Sequence, residues 1–107
     1  MLAKAFSKKN DTVLVLKGAN TIIALPDGRI YVSMFGNSGM ATGGSGDVLS
    51  GIITSLLAQG LSRESAAILG VYIHSVSADY ALQKQSIHSL LPSYIIDNLC
   101  ETFRELE

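Results

Sequence analysis

The chain has 107 residues, enough for one domain or part of one, with 48% hydrophobic and 16% charged residues. That balance describes a folded chain with an apolar interior and excludes a disordered segment. A net charge of −1 gives no support to a nucleic-acid binder. Residues 1–43 carry five Lys/Arg against two Asp, and residues 44–107 carry three against seven Asp/Glu, a mild asymmetry that solvated faces account for.

"MLAKAFSKKN" reads as the end of a helix. Leu2, Ala5 and Phe6 lie on one side, and its late lysines suit the negative end of the helix dipole. The same lysines stand where a signal peptide would need an apolar run, and no apolar stretch is long enough for a membrane span. Val13–Leu16 is a continuous apolar run, which predicts a central strand covered on both faces. Thr21–Leu25 and Arg29–Ser33 read as a hairpin around Pro26-Asp27-Gly28, with Pro26 presetting the turn and Gly28 tolerating positive φ.

"NSGMATGGSGDVLSGI", Asn37 to Ile52, holds five glycines and a single charged residue, then continues into an amphipathic helix that stops at Gly60. Ser62 is a good N-cap for a long helix reaching about Gln83, apolar nearly all round from Ala66 to Ile73 and so buried on more than one side. A last helix starts near Ser93, with Ile95, Ile96, Leu99, Cys100, Phe103 and Leu106 inward and Asp97, Glu101 and Glu105 outward. A lone cysteine allows no internal disulfide and fits a reducing compartment. Within this apolar stripe Cys100 reads as a buried, inert thiol.

A helix N-terminus offers unpaired N–H groups and partial positive charge to an anion, and glycines let the backbone come close. Gly43, Gly44, Ser45 and Gly46 form such a cradle. Asp47 is out of place beside a bound phosphate, which it repels. Either it satisfies first-turn amides, or it is a general base that takes a proton from a hydroxyl attacking a phosphoryl group. The glycine spacing fits neither a Walker P-loop nor the dinucleotide fingerprint. His74, inside the apolar helix, reads as a hydrogen-bonded core histidine, and His88 as an exposed loop residue. Neither sits in a metal-binding constellation. Asn37 fits an Asx turn shaping the loop.

"MATGGSGDVLSGIITSLLAQG" resembles the anion-hole signature of the ribokinase-like superfamily, and within it the ADP- or ATP-dependent NAD(P)H-hydrate dehydratases. The segment "VLKGANT" and the helix "AAILGVYIHSVSADYA" resemble the same family in order. The chain departs from the relatives in "SMFGNSG", which lacks their prolines, and at Tyr94, where they carry an acid. The resemblance implies an α/β fold of which residues 1–107 form the C-terminal, incomplete portion: a central strand, a hairpin, the glycine loop and three helices. It implies an anion hole at Gly44, Ser45 and Gly46, and Asp47 as catalytic base and substrate contact. Lys17, Gly18, Ala19, Asn20, Thr21 and Gly46 would contact the nucleotide.

The implied chemistry restores hydrated NADH or NADPH through phosphorylation of the ring hydroxyl and elimination, with ADP or ATP and Mg2+. A related kinase of a vitamin precursor or sugar hydroxyl is the alternative, and a non-catalytic scaffold the third reading. A cytoplasmic setting is expected, without nucleic-acid or membrane partners. Apolar surface left by the absent portion predicts self-association or association with that portion.

Overall fold

The computed structural model describes residues 2–18, 20–34, 44–83 and 92–106. Helix α1, Leu2–Asn10, ends where Asp11 takes a positive φ of 47° and the Thr12 N–H donates back to the Ser7 carbonyl at 3.1 Å. Ala3 and Ser7 are the buried residues of this helix. The Ser7 hydroxyl donates to the Ala24 carbonyl at 3.0 Å, tying α1 to the sheet. Leu2 and Phe6, on one side of the helix as their spacing predicts, are 88% and 51% exposed. With Leu14 and Leu16 they line an apolar notch of about 210 Å³.

Three short strands follow, β1 Leu14–Leu16, β2 Ile22–Ala24 and β3 Ile30–Val32, antiparallel in the order β1-β2-β3. Leu16 pairs with Ile22, which pairs with Val32. The hairpin turn forms as its sequence requires: Gly28 N–H donates to the Leu25 carbonyl at 3.0 Å, and Gly28 sits at φ 99°, beyond the reach of most side chains. The apolar β1 run predicts a central strand, but among the described residues β1 is an outer one and Leu16 is 45% exposed. Its double-sided apolar character is that of a strand covered on both faces. Among the described residues Val13 and Val15 pack against the core, while Leu14 and Leu16 line the open notch.

Helices α2, Ser45–Ala58, and α3, Arg63–Leu82, form a hairpin closed at Gly60 (φ 98°), and the Ser62 side chain caps α3 by accepting from the Ser65 N–H at 3.2 Å. The two helices cross closely. A Cβ on Gly70 would lie 2.6 Å from Ile53 Cγ1, so only glycine permits this approach. Ile23 and Leu25 of β2 and its turn pack with Leu49, Ala67 and Val71, joining the sheet to both helices in one core. In the apolar stretch Ala66–Ile73 of α3, Ala66, Ala67, Gly70, Val71 and Ile73 are buried. Burial then runs unbroken through His74, Ser75, Val76, Ser77 and Ala78, where the sequence is half polar.

The last helix is two, α4 Pro92–Asp97 and α5 Leu99–Leu106, interrupted at Asn98, whose side-chain amide donates to the Tyr94 carbonyl at 2.7 Å. The face against α3 is also different from the expected one. Ile95, Asn98 and Thr102 are buried, while Ile96, Phe103, Leu106 and Cys100 are exposed. The reason lies on α3, which presents hydroxyls here. Ser77 and Thr102 hydroxyls bond at 2.6 Å in the interior, while Glu105 stays exposed as expected and accepts from the Tyr80 hydroxyl at 2.6 Å at the rim of the contact. Buried polar groups need partners more than apolar ones need cover, and this selects the face.

Candidate functional site

The glycine-rich run leads into α2. Gly44 precedes the helix at φ 94°, a left-handed conformation, and a Cβ there would meet Pro92 Cγ at 3.2 Å. The start of α4 therefore presses directly on this turn, a contact the sequence does not signal. The Gly44 carbonyl accepts from the N–H groups of Asp47 and Val48, at 3.1 and 3.2 Å. The N–H groups of Ser45 and Gly46 come too early for a partner within the helix, and Gly44 has no side chain to cap them. Two donors at the positive end of a fourteen-residue helix form an anion-binding arrangement.

Lys17, just beyond β1, reaches the same place. Its Nζ lies 3.7 Å from the point a Cβ on Gly46 would occupy. A strand end and a helix start, far apart in sequence, thus bring an ammonium group against backbone donors. Both are cationic in character, and what suits them together is an anion carrying more than one negative charge. Gly46 leaves room for it.

Ser45 is wholly buried, and His74 of α3 is 1% exposed beneath it. His74 Nε2 stands 3.1 Å from Ser45 Oγ and 3.1 Å from the Ser45 carbonyl oxygen. Burial, and next the charge of Lys17, lower the His74 pKa from 6.5 to about 4 against the opposing effect of the Ser45 carbonyl. The imidazole is neutral at neutral pH. The reading of a hydrogen-bonded core histidine holds, and its partner belongs to the glycine turn.

Asp47, two residues beyond Ser45, is exposed. It lines one end of a groove of about 650 Å³ between α2 and α4–α5, walled by Ile52, Leu56, Ile96, Leu99 and Phe103. An acid at the mouth of an apolar groove, beside an anion-binding turn, can accept a proton from a hydroxyl held between them. Gly18 and Asn20 are exposed in the β1–β2 connection, whereas Thr21 is 5% exposed and its carbonyl accepts the Ser33 N–H at 2.8 Å. Ala19, Asn37, Gly43 and His88 lie outside the described residues. Among the described residues no helix is long and apolar enough to cross a membrane.

The family model Carb_kinase, described as NAD(P)H-hydrate dehydratase, matches residues 1–101. The bifunctional NAD(P)H-hydrate repair enzyme Nnr of Moorella thermoacetica is 43% identical over 106 residues, covering 99% of this chain and 20% of that protein. The structure of the ADP/ATP-dependent NAD(P)H-hydrate dehydratase from Bacillus subtilis, co-crystallized with ATP/Mg2+, matches with a TM-score of 0.93 at 35% identity. It covers 99% of this chain and 38% of that one. A ribokinase-like superfamily protein from Enterococcus faecalis matches with a TM-score of 0.82 at 34% identity, over 95% of this chain and 35% of that one. The chain therefore spans about a fifth to two fifths of the proteins it matches. With a ribokinase-like α/β architecture and a family match running from its first residue to Glu101, the chain belongs to the NAD(P)H-hydrate dehydratase family.

Proposed function

We propose that this chain carries the phosphoryl-handling portion of an enzyme that dehydrates hydrated NADH and NADPH using ADP or ATP. The observation that carries this is the approach of Lys17 Nζ to within 3.7 Å of the Cβ position of Gly46, at the uncapped start of α2 and one residue before Asp47. In this reading Gly44, Ser45 and Gly46 form the anion hole. Lys17 and its neighbours Gly18, Ala19, Asn20 and Thr21 follow the nucleotide.

The chemistry follows from charge. The transferring phosphoryl group gathers negative charge, which in this reading Lys17 and the amides at the start of α2 stabilise. Asp47 takes the proton of the ring hydroxyl as its oxygen bonds to phosphorus and the bond to the nucleotide's bridging oxygen breaks. AMP leaves from ADP, or ADP from ATP. Departure of phosphate from the ring, with loss of a ring proton, restores the double bond.

Mg2+ is expected with the nucleotide and would screen phosphate charge. Among the described residues no group of three or more His, Cys, Asp or Glu side chains comes together. Such a cation would be held largely by phosphate oxygens and water, as Mg2+ commonly is with nucleotides.

The reading includes a partner. The outer edge of β1 and the notch beside Leu2 and Phe6 are open on one side of the molecule, and the groove with Ile96 and Phe103 on another. These surfaces suit the remainder of a dehydratase domain, or a second copy of the chain in its place. A dominant monomer in light scattering, with no association on adding a polypeptide spanning that remainder, contradicts this. A cytoplasmic setting belongs to the same reading, supported by the exposed free thiol of Cys100.

The test is recovery of reduced-nicotinamide absorbance from hydrated NADH, with the chain alone and mixed with the remainder polypeptide. Recovery should require ADP or ATP, and Asp47→Asn should slow it by about 10²- to 10⁴-fold without unfolding the chain. Phosphorylation confined to sugar or vitamin alcohols would overturn the proposal in favour of a kinase.

A further inference from the structure

We propose that His74 is a positioning residue for the anion-binding turn: from α3 its imidazole latches the first residue of α2 by side chain and carbonyl together. The proposal deepens the function proposed above and rests on it. Ser45 stands between Gly44 and Gly46, the residue type that restrains a backbone least, so the shape of the turn depends on what holds Ser45. His74 holds it at two points. Nε2 is 3.1 Å from both Oγ and the carbonyl oxygen, and both residues are sealed from solvent.

These distances select one tautomer. An Nε2 without hydrogen would set its lone pair against the carbonyl lone pairs at 3.1 Å. An Nε2–H donates to the carbonyl, and the hydroxyl lies within reach of the same hydrogen. The carbonyl has a second lone pair for the helical N–H four residues on, so the latch costs α2 no hydrogen bond.

What the latch fixes is the height and rotation of the first turn relative to α3, and with them where Gly46 sits beside Lys17. Being neutral, with its pKa held to about 4 by burial and then by the charge of Lys17, the imidazole adds no charge of its own to the site. It acts through geometry alone. The sequence offers no sign of it, because residues 45 and 74 meet only through the α2–α3 hairpin.

The test compares His74→Phe, which keeps a ring but no donor, with His74→Gln, which restores an amide donor. In His74→Phe, amide hydrogen exchange at Gly46–Leu49 should rise about tenfold while Val71–Ala78 keeps its protection, and ADP affinity should fall about tenfold. His74→Gln should recover most of both. In the unaltered chain, ¹⁵N spectra of the imidazole should show hydrogen on Nε2, a readout that stands even where His74→Phe fails to fold. Exchange that rises evenly along α2 and α3 in His74→Phe would reduce His74 to a packing residue. Hydrogen on Nδ1 would overturn the latch outright. If the unaltered chain binds no ADP, the proposed function fails, and the exchange and tautomer results still decide the latch.

Discussion

Acidification provides a quantitative test of how deeply the His74–Ser45 contact is buried. The folded chain holds the His74 pKa at about 4, against an ordinary value of 6.5. Below pH 6.5 the unfolded chain binds a proton that the folded chain refuses until about pH 4. The contribution is therefore intact above the unfolded value and is lost as pH falls from 6.5 towards 4. The gap between the two values corresponds to about 3 kcal/mol across that window. That is a large share of the stability of a domain this small.

Urea unfolding of the unaltered chain and of His74→Gln, from about pH 7.5 down to about pH 4.5, isolates the effect. Glutamine does not titrate, and carboxylates common to both proteins cancel in the difference. The stability advantage of the unaltered chain should shrink by roughly 2–3 kcal/mol over that range, with its steepest fall below pH 6.5. A difference that stays flat with pH would mean that His74 titrates as it does in water. The burial that anchors Ser45 would then be wrong.

Two glycines separate folding from binding. Gly46→Ala places a Cβ 3.7 Å from Lys17 Nζ, an ordinary contact, so stability measured by calorimetry should change by less than about 1 kcal/mol. Nucleotide affinity should fall about tenfold or more, because the methyl group occupies the space between the ammonium and the amides. Gly70→Ala does the opposite: its Cβ would lie 2.6 Å from Ile53 Cγ1 and 3.5 Å from Ile53 Cα. Overpacking of this kind costs about 1–3 kcal/mol, read as a lower urea midpoint.

Local chemistry was legible in the sequence wherever one residue dictates one conformation. Gly28 closes its hairpin, Ser62 caps α3, and Gly60 ends the helix before it. The glycine turn leading into α2, with Asp47 in the first helical turn, was equally readable. What periodicity could not reveal was which neighbour each apolar stripe meets. Leu2 and Phe6 form a stripe on α1, yet the sheet takes the Ala3–Ser7 face because the Ser7 hydroxyl bonds there. The stripe containing Ile96, Cys100 and Phe103 is similarly left open because α3 offers the Ser77 hydroxyl, which draws Thr102 inward. An apolar strand such as β1 declares that both of its faces want cover, not which residues supply it. The Lys17–Gly46 and Ser45–His74 approaches are tertiary contacts with no sequence spacing to mark them.

The most direct test of the central claim is an NMR titration of the ¹⁵N-labelled chain with ADP and then ATP. The amides of Ser45 and Gly46 and the Lys17 side chain should shift together and saturate together, and the Gly46→Ala chain should show a weaker transition. Nucleotide that shifts other resonances while these three stay still, or that shifts none, would contradict the claim that an anion is bound between the end of β1 and the start of α2.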